Sequence, residues 1–167
     1  PVNCVTIKKN TIEGTNTDGF GFGKAYFAHI DARKDQAFTG QLRHSGAATA
    51  LVLGFGGAAK SIISSLVEMN FDKIIVFNRT FEKIKNIGTV ISETDPKLIP
   101  KCEIVPEKIE NLINYTDCNK SKDTKLIINT SPTNILSNKT NWNIGKDVVG
   151  FDVVYRPREG TGFLSNF

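Results

Sequence analysis

The sequence predicts an α/β fold built on a parallel sheet, and three observations carry that prediction. Short aliphatic runs recur near 49–54, 74–77, 104–105, 126–128 and 148–154, with the composition of buried strands. Segments with helical spacing stand between several of them, over 57–69, 81–87 and 107–114. Gly54-x-Gly56-x-x-Ala59 joins the first of these strands directly to the first of these helices. Strands separated by helices return by crossover connections, which makes them parallel. The expected architecture is a Rossmann-like, doubly wound parallel sheet with flanking helices.

The elements follow in order. Residues 1–14 read as extended, with Val2, Val5 and Ile7 before a turn at Lys8-Lys9-Asn10 and then Thr11-Ile12. Asn16-Thr17-Asp18-Gly19 is polar and turn-like, and a helix is expected from Phe20 to about Ala32, with Phe20, Phe27 and Ile30 near one face. Residues 33–47 read as a loop punctuated by Gly40 and Gly46. The helix over 57–69 places Ile62, Ile63, Leu66 and Met69 at helical spacing, and Asn70-Phe71-Asp72 turns the chain into the strand Ile74–Phe77. A short helix is expected from Phe81 to Ile87. The strand near Ile104-Val105 is crowded by Pro96, Pro100 and Pro106, and a helix is expected from Glu107 to about Asn114. Residues 117–123 read as an exposed charged loop between that helix and the strand at Leu126-Ile127-Ile128.

The charge balance narrows the function classes. A net charge of +4 over 167 residues, with Lys and Arg scattered, leans weakly towards anionic ligands. No dense basic stripe with interleaved aromatics points to nucleic acid. No apolar run approaches the roughly 18 residues of a membrane span. Cys4, Cys102 and Cys118 lack metal-ligand spacing, so no metal site is expected and reduced thiols in a cytoplasmic protein are.

The glycine turn is where chemistry is expected. Gly54 permits a tight turn, Gly56 lets backbone approach a phosphate, and small Ala59 lets the helix pack on the strand. The N–H groups of Gly57 and Ala58 then open a helix whose positive end suits a pyrophosphate. At the end of the second strand stands Asn78-Arg79-Thr80, where NAD-selecting proteins carry an acidic residue for the ribose 2′-OH. A guanidinium grips a phosphate with two parallel N–H bonds, so the triplet points to the 2′-phosphate of NADP, with Lys83 as an added charge. The plain alternative is an exposed Arg before a helix capped by Thr80. Asn16-Thr17-Asp18-Gly19 alone reads as an Asx turn, and Asp18 needs a partner such as lysine to move a proton. Tyr155 follows the last strand, at the end of the sheet where ligands sit, and packing alone would account for it equally well. His29 and His44 read as surface or structural residues, and Trp142 as a loop anchor.

Together these segments resemble the shikimate/quinate dehydrogenase family, in order and through nearly the whole chain. Pro1-Val2-Asn3-Cys4-Val5 is similar to its Ala-Val-Asn-Thr-Val segment, Gly14–Gly19 to its Gly-x-Asn-Thr-Asp-Gly signature, and Gly54–Ala59 to its Gly-Ala-Gly-Gly-Ala-Ala loop. Asn78-Arg79-Thr80 resembles its NADP-selecting triplet, Asn129-Thr130-Ser131-Pro132 a segment on the nicotinamide side, and Asp152-Val153-Val154-Tyr155-x-Pro157 its Asp-x-Val-Tyr-x-Pro segment. Phe55 stands where the family reads Ala, Asn134 where it reads Gly, and Gly160 adds a residue before Thr161.

The resemblance implies reversible reduction of 3-dehydroshikimate to shikimate by NADPH, within aromatic amino-acid (chorismate) biosynthesis. It implies Asn3, Asp18 and Tyr155 as substrate residues, with Asp18 catalytic beside a lysine. It implies Gly54, Gly56, Gly57, Ala58, Asn78, Arg79, Thr80, Lys83, Asn129 and Thr130 as cofactor residues. The catalytic lysine belongs to an Asn-Val-Thr-x-Pro-x-Lys motif of an N-terminal substrate domain, and a substrate-binding Gln to C-terminal helices; neither occurs in these residues. The implied division is 1–18 as the tail of the substrate domain, 19–47 as linking helix and loop, and 48–167 as an incomplete NADP-binding domain, inactive alone. Quinate dehydrogenase, a glutamyl-tRNA reductase-like domain and a non-catalytic nucleotide-binding protein are the other readings. Asn3 and the Asn-Thr-Asp-Gly run argue against the tRNA reductase.

Overall fold

A computed structural model describes residues 2–33, 47–94, 102–119, 121–131, 142–154 and 162–167. Expectations at Gly40, His44, Gly46, Pro96, Pro100, Pro132, Asn134, Tyr155, Pro157 and Gly160 lie outside the described residues. The chain opens with an antiparallel hairpin, β1 (Cys4–Lys8) and β2 (Thr11–Thr15), in which Ile7 pairs with Ile12 and Val5 with Gly14. Alternation puts Val5, Ile7 and Ile12 on one face and Thr6, Lys8, Thr11 and Glu13 on the other. All ten strand residues are exposed, the aliphatic ones included.

Helix α1 (Asp18–Arg33) leads to a second sheet of β3 (Thr49–Leu53), β4 (Lys73–Asn78), β5 (Glu103–Lys108), β6 (Thr124–Asn129) and β7 (Val149–Asp152). Its strand order is β5-β4-β3-β6-β7, and every adjacent pair is parallel. This is the order 3-2-1-4-5 of a doubly wound sheet, with the switch point between β3 and β6. Helix α2 (Gly57–Glu68) follows β3, and α3 (Ile87–Thr94) lies between β4 and β5. Central β3 is buried at every position, as a strand covered on both faces must be.

Alternation sorts the core into two layers. Ala50, Val52, Ile74, Val76, Leu126 and Ile128 face α1 and α2, where Phe22, Tyr26, Ile62, Ile63 and Leu66 are buried. Leu51, Leu53, Ile75, Phe77 and Ile127 face the other way, against Leu112 and Phe163.

Three expectations are corrected. Phe20 is 70 % exposed, and the buried row of α1 is Phe22 and Tyr26, with Phe27 and Ile30 partly buried. Residues i and i+4 share a face, and 22, 26 and 30 form the row that meets the core. The segment after β4 makes a 3-10 turn at Phe81–Lys83 before α3, because the buried row Ile84, Ile87 and Ile91 lies further along the chain than expected. Glu107 and Lys108 belong to β5, paired with Phe77 and Asn78, and only Ile109–Asn114 turns, as a 3-10 helix.

Candidate functional site

The carboxyl ends of the sheet are tied together around the switch point. Gly54 N–H donates to the Phe77 carbonyl (2.8 Å), and the Leu53 carbonyl accepts both Thr130 N–H (2.9 Å) and Thr130 Oγ1–H (2.8 Å). Gly54 has φ +101°, and a Cβ there would lie 2.8 Å from Thr130 Oγ1. The first glycine is thus required by the protein itself. The second is not: Gly56 is the N-cap of α2 with φ −89°, and a Cβ there meets nothing within 4 Å. Its open space faces a helix end with no side-chain cap and no acid in its first turn. The first backbone N–H groups of α2 therefore have no intrahelical acceptor, the condition for anion binding at a helix N-terminus. Gly56 and Gly57 are exposed, and Ala58 is half-buried. The Phe55 ring packs against the core and carries Lys60 Nζ 5.3 Å from its centroid.

The end of β4 presents Asn78, Arg79 and Thr80. Asn78 Nδ2–H donates to the Thr80 carbonyl (2.9 Å), which pins the turn. Thr80 occupies the cap position of the 81–83 turn, but its side chain makes no capping bond. Arg79, Thr80 and Lys83 are exposed, and among the described residues neither cation has an ion pair.

Asn3 and Asp18, fifteen positions apart, meet. Asn3 Nδ2–H donates to Asp18 Oδ1 (2.6 Å), and Asn3 Oδ1 accepts Thr17 N–H (2.9 Å) and Thr17 Oγ1–H (3.2 Å). Asn16 Oδ1 accepts Asp18 N–H (2.9 Å), the Asx turn expected there. The head of α1 is pressed on α2: a Cβ on Gly19 would lie 2.5 Å from Ser65 Oγ and 2.7 Å from the Ser61 carbonyl oxygen.

On the other side of the switch point Asn129 is buried. Its Nδ2–H donates to Asp152 Oδ1 (3.1 Å), its Oδ1 accepts Ser131 N–H (3.1 Å), and its carbonyl accepts Val153 N–H (3.0 Å). Asp152 Oδ1 also accepts Val154 N–H (3.0 Å). The Asn129–Asp152 clamp sets how the chain leaves β6 and β7, and sequence reasoning missed Asp152 as a site-building residue. Its signal was the polar residue closing an aliphatic strand. Tyr155 lies outside the described residues.

Trp142 is an anchor, edge-on to Phe163 (5.9 Å) and Phe167 (6.1 Å). His29 is exposed on α1. The three cysteines are free, and among the described residues no cluster could hold a metal ion and no helix is long and apolar enough to cross a membrane.

A family model described as shikimate / quinate 5-dehydrogenase matches residues 38–140, more than half of the chain. The chain belongs to the shikimate/quinate 5-dehydrogenase family. The match spans the glycine turn, Arg79 and Asn129, whereas Asn3, Asp18 and Tyr155 fall outside it. The chain is 27 % identical over 163 residues to the shikimate dehydrogenase (NADP(+)) of Dictyoglomus turgidum, covering 95 % of this chain and 50 % of that protein. It is 29 % identical over 173 residues to the enzyme of the same name from Clostridium perfringens, covering 98 % and 51 %. The chain thus spans about half the length of the curated relatives it matches. Its fold is that of quinate dehydrogenase from Corynebacterium glutamicum, solved in complex with NAD (TM-score 0.69, 19 % identity, 99 % of this chain and 53 % of that one). It is also that of shikimate 5-dehydrogenase from Listeria monocytogenes, solved with shikimate and NAD (TM-score 0.65, 18 % identity, 93 % and 50 %).

Proposed function

We propose that the chain is the NADP-binding part of a shikimate dehydrogenase, interconverting 3-dehydroshikimate and shikimate. The observation that carries the reading is the Asn3–Asp18 bond at the head of a helix pressed on the glycine-turn helix. It sets a neutral donor and a carboxylate side by side next to a dinucleotide-type frame, which suits a hydroxylated substrate. In this reading residues 1–18 end a substrate domain, 19–47 link, and 48–167 hold cofactor. The exposed aliphatic face of the hairpin is then covered by the rest of that domain.

The residues fit the cofactor. Gly56 leaves a cradle that a Cβ would fill, Gly57 and Ala58 supply helix-end N–H groups, and among the described residues Arg79 has no acidic partner. Arg79, with Asn78, Thr80 and Lys83, would hold a 2′-phosphate. Asn129 and Thr130 would shape the nicotinamide side, with Tyr155 near substrate. Bound NADPH supplies the hydride. Asn3 orients a substrate hydroxyl, and Asp18 holds or moves the proton of the reacting oxygen together with a lysine from the remainder of the protein. Shikimate is preferred to quinate because the curated relatives carry the shikimate dehydrogenase name.

The test uses the complete polypeptide with shikimate or quinate and either nicotinamide cofactor. NADP-dependent oxidation of shikimate is expected, and Asp18→Asn should lower kcat by about 10²–10⁴ with cofactor affinity retained. Preference for quinate, or an Asp18→Asn enzyme with unaltered kcat, would refute the assignment.

A further inference from the structure

The geometry points to Lys108 as a second cation for the 2′-phosphate of NADP, acting beside Arg79 to set cofactor specificity. This inference rests on the NADP reading above. Lys108 ends β5 as the register partner of Asn78, the residue before Arg79. Adjacent strands lie about 4.8 Å apart, so the backbone of Lys108 stands next to the cofactor-selecting triplet. Sidedness agrees. Ile74 and Val76 of β4 pack into the layer of α2, and Asn78 follows them on that face; Ile104 of β5 packs there too, and Lys108 shares its parity. Lys108 Nζ lies 6.0 Å from the centroid of Phe81, which opens the turn carrying Lys83. The lysine stem therefore reaches across the end of β4 towards the chain that holds Arg79.

The acids at this corner already have partners, and the Lys108 charge itself bears on Glu107. Glu82 is paired with Lys85 (2.6 Å). Glu107 Oε1 accepts Lys108 N–H (2.8 Å) and Asn111 Nδ2–H (2.8 Å), and Oε2 accepts Tyr115 O–H (3.3 Å). Among the described residues Arg79, Lys83 and Lys108 make no ion pair. Three cationic residues thus stand on neighbouring chain at one corner of the sheet, and a dianionic phosphate is the cofactor group that distinguishes NADP from NAD. The bland reading of Lys108, a solvated lysine at a sheet edge, predicts no effect on cofactor choice.

Equilibrium binding of NADP⁺ and NAD⁺ is measured by calorimetry at low and physiological salt for wild type, Arg79→Ala, Lys108→Ala and Lys108→Arg. Lys108→Ala should weaken NADP⁺ about five-fold, more at low salt, with NAD⁺ unchanged and Lys108→Arg near wild type. Lys108 is exposed, so the melting temperature should hold. If Arg79→Ala shifts the NADP⁺/NAD⁺ ratio and Lys108→Ala does not, the inference is wrong and the NADP reading stands. If neither shifts it, the NADP reading itself fails.

Discussion

At Gly54 and Gly56 two residues of one type, two positions apart, serve different masters. Gly54 carries a positive φ and lies against Thr130 Oγ1; Gly56 has an ordinary φ and open space. Gly54→Ala combines a strained backbone, about 1–3 kcal/mol, with a steric overlap, so the melting temperature should fall by several degrees. Gly56→Ala should stay within about 0.5 kcal/mol of wild type yet weaken NADP⁺ binding, because the methyl occupies the cradle. Thermal melts beside calorimetry separate the two, and equal stability losses would overturn the distinction. The Gly54 turn was legible in the sequence, as were the places of Gly56 before α2 and Arg79 after β4, because a turn type and a position along the chain belong to single residues. The Asn129–Asp152 clamp was not, because it spans 23 positions and exists only in the register of β6 against β7.

Helices and strands were legible in proportion to how continuous their burial is. β3 and β4 fall where the aliphatic runs put them, since each is buried along most of its length, and α2 falls where the spacing of its buried Ile62, Ile63 and Leu66 put it. β5 was obscured by Pro106, which has no backbone N–H to donate and which an edge strand tolerates because it has only one neighbour to bond. The apolar residues of α1 wrap around the helix, so spacing alone did not single out its buried face. What fixes that face is a contact: Gly19 lets α1 approach α2 at Ser61 and Ser65. Gly19→Ala places a methyl against Ser65 Oγ and a backbone oxygen, and overpacking of this kind costs about 1–3 kcal/mol. A denaturation midpoint shifted down at unchanged m-value is expected; a neutral or stabilised Gly19→Ala would show that the helices can separate freely.

Taken whole, the molecule withdraws from water, fully at Tyr26 and partly at Cys102, two groups that stay protonated. Desolvation pushes the Tyr26 hydroxyl from 10.0 up to about 12. Burial, then the nearby Asp72 and Glu103 carboxylates, push the Cys102 thiol from 9.0 up to about 12. Above pH 9 the unfolded chain releases protons that the folded chain keeps, so these groups favour folding fully below that pH and progressively less as pH rises towards 12. The melting temperature should fall across that window, and Tyr26→Phe should flatten the part above pH 10; a flat profile in wild type would contradict the burial of both groups.

The Asn3–Asp18 bond has a mechanical side. Asp18 sits one residue from the Gly19 contact and so moves with α2, while Asn3 belongs to the hairpin, whose strand residues are all exposed. Any swing of the hairpin away from the parallel sheet must stretch this one bond and the two from Thr17. In the proposed function these side chains also meet the substrate, so the bonds that tie the hairpin to the head of α1 would position that site, and a ligand seated on both residues would brace them.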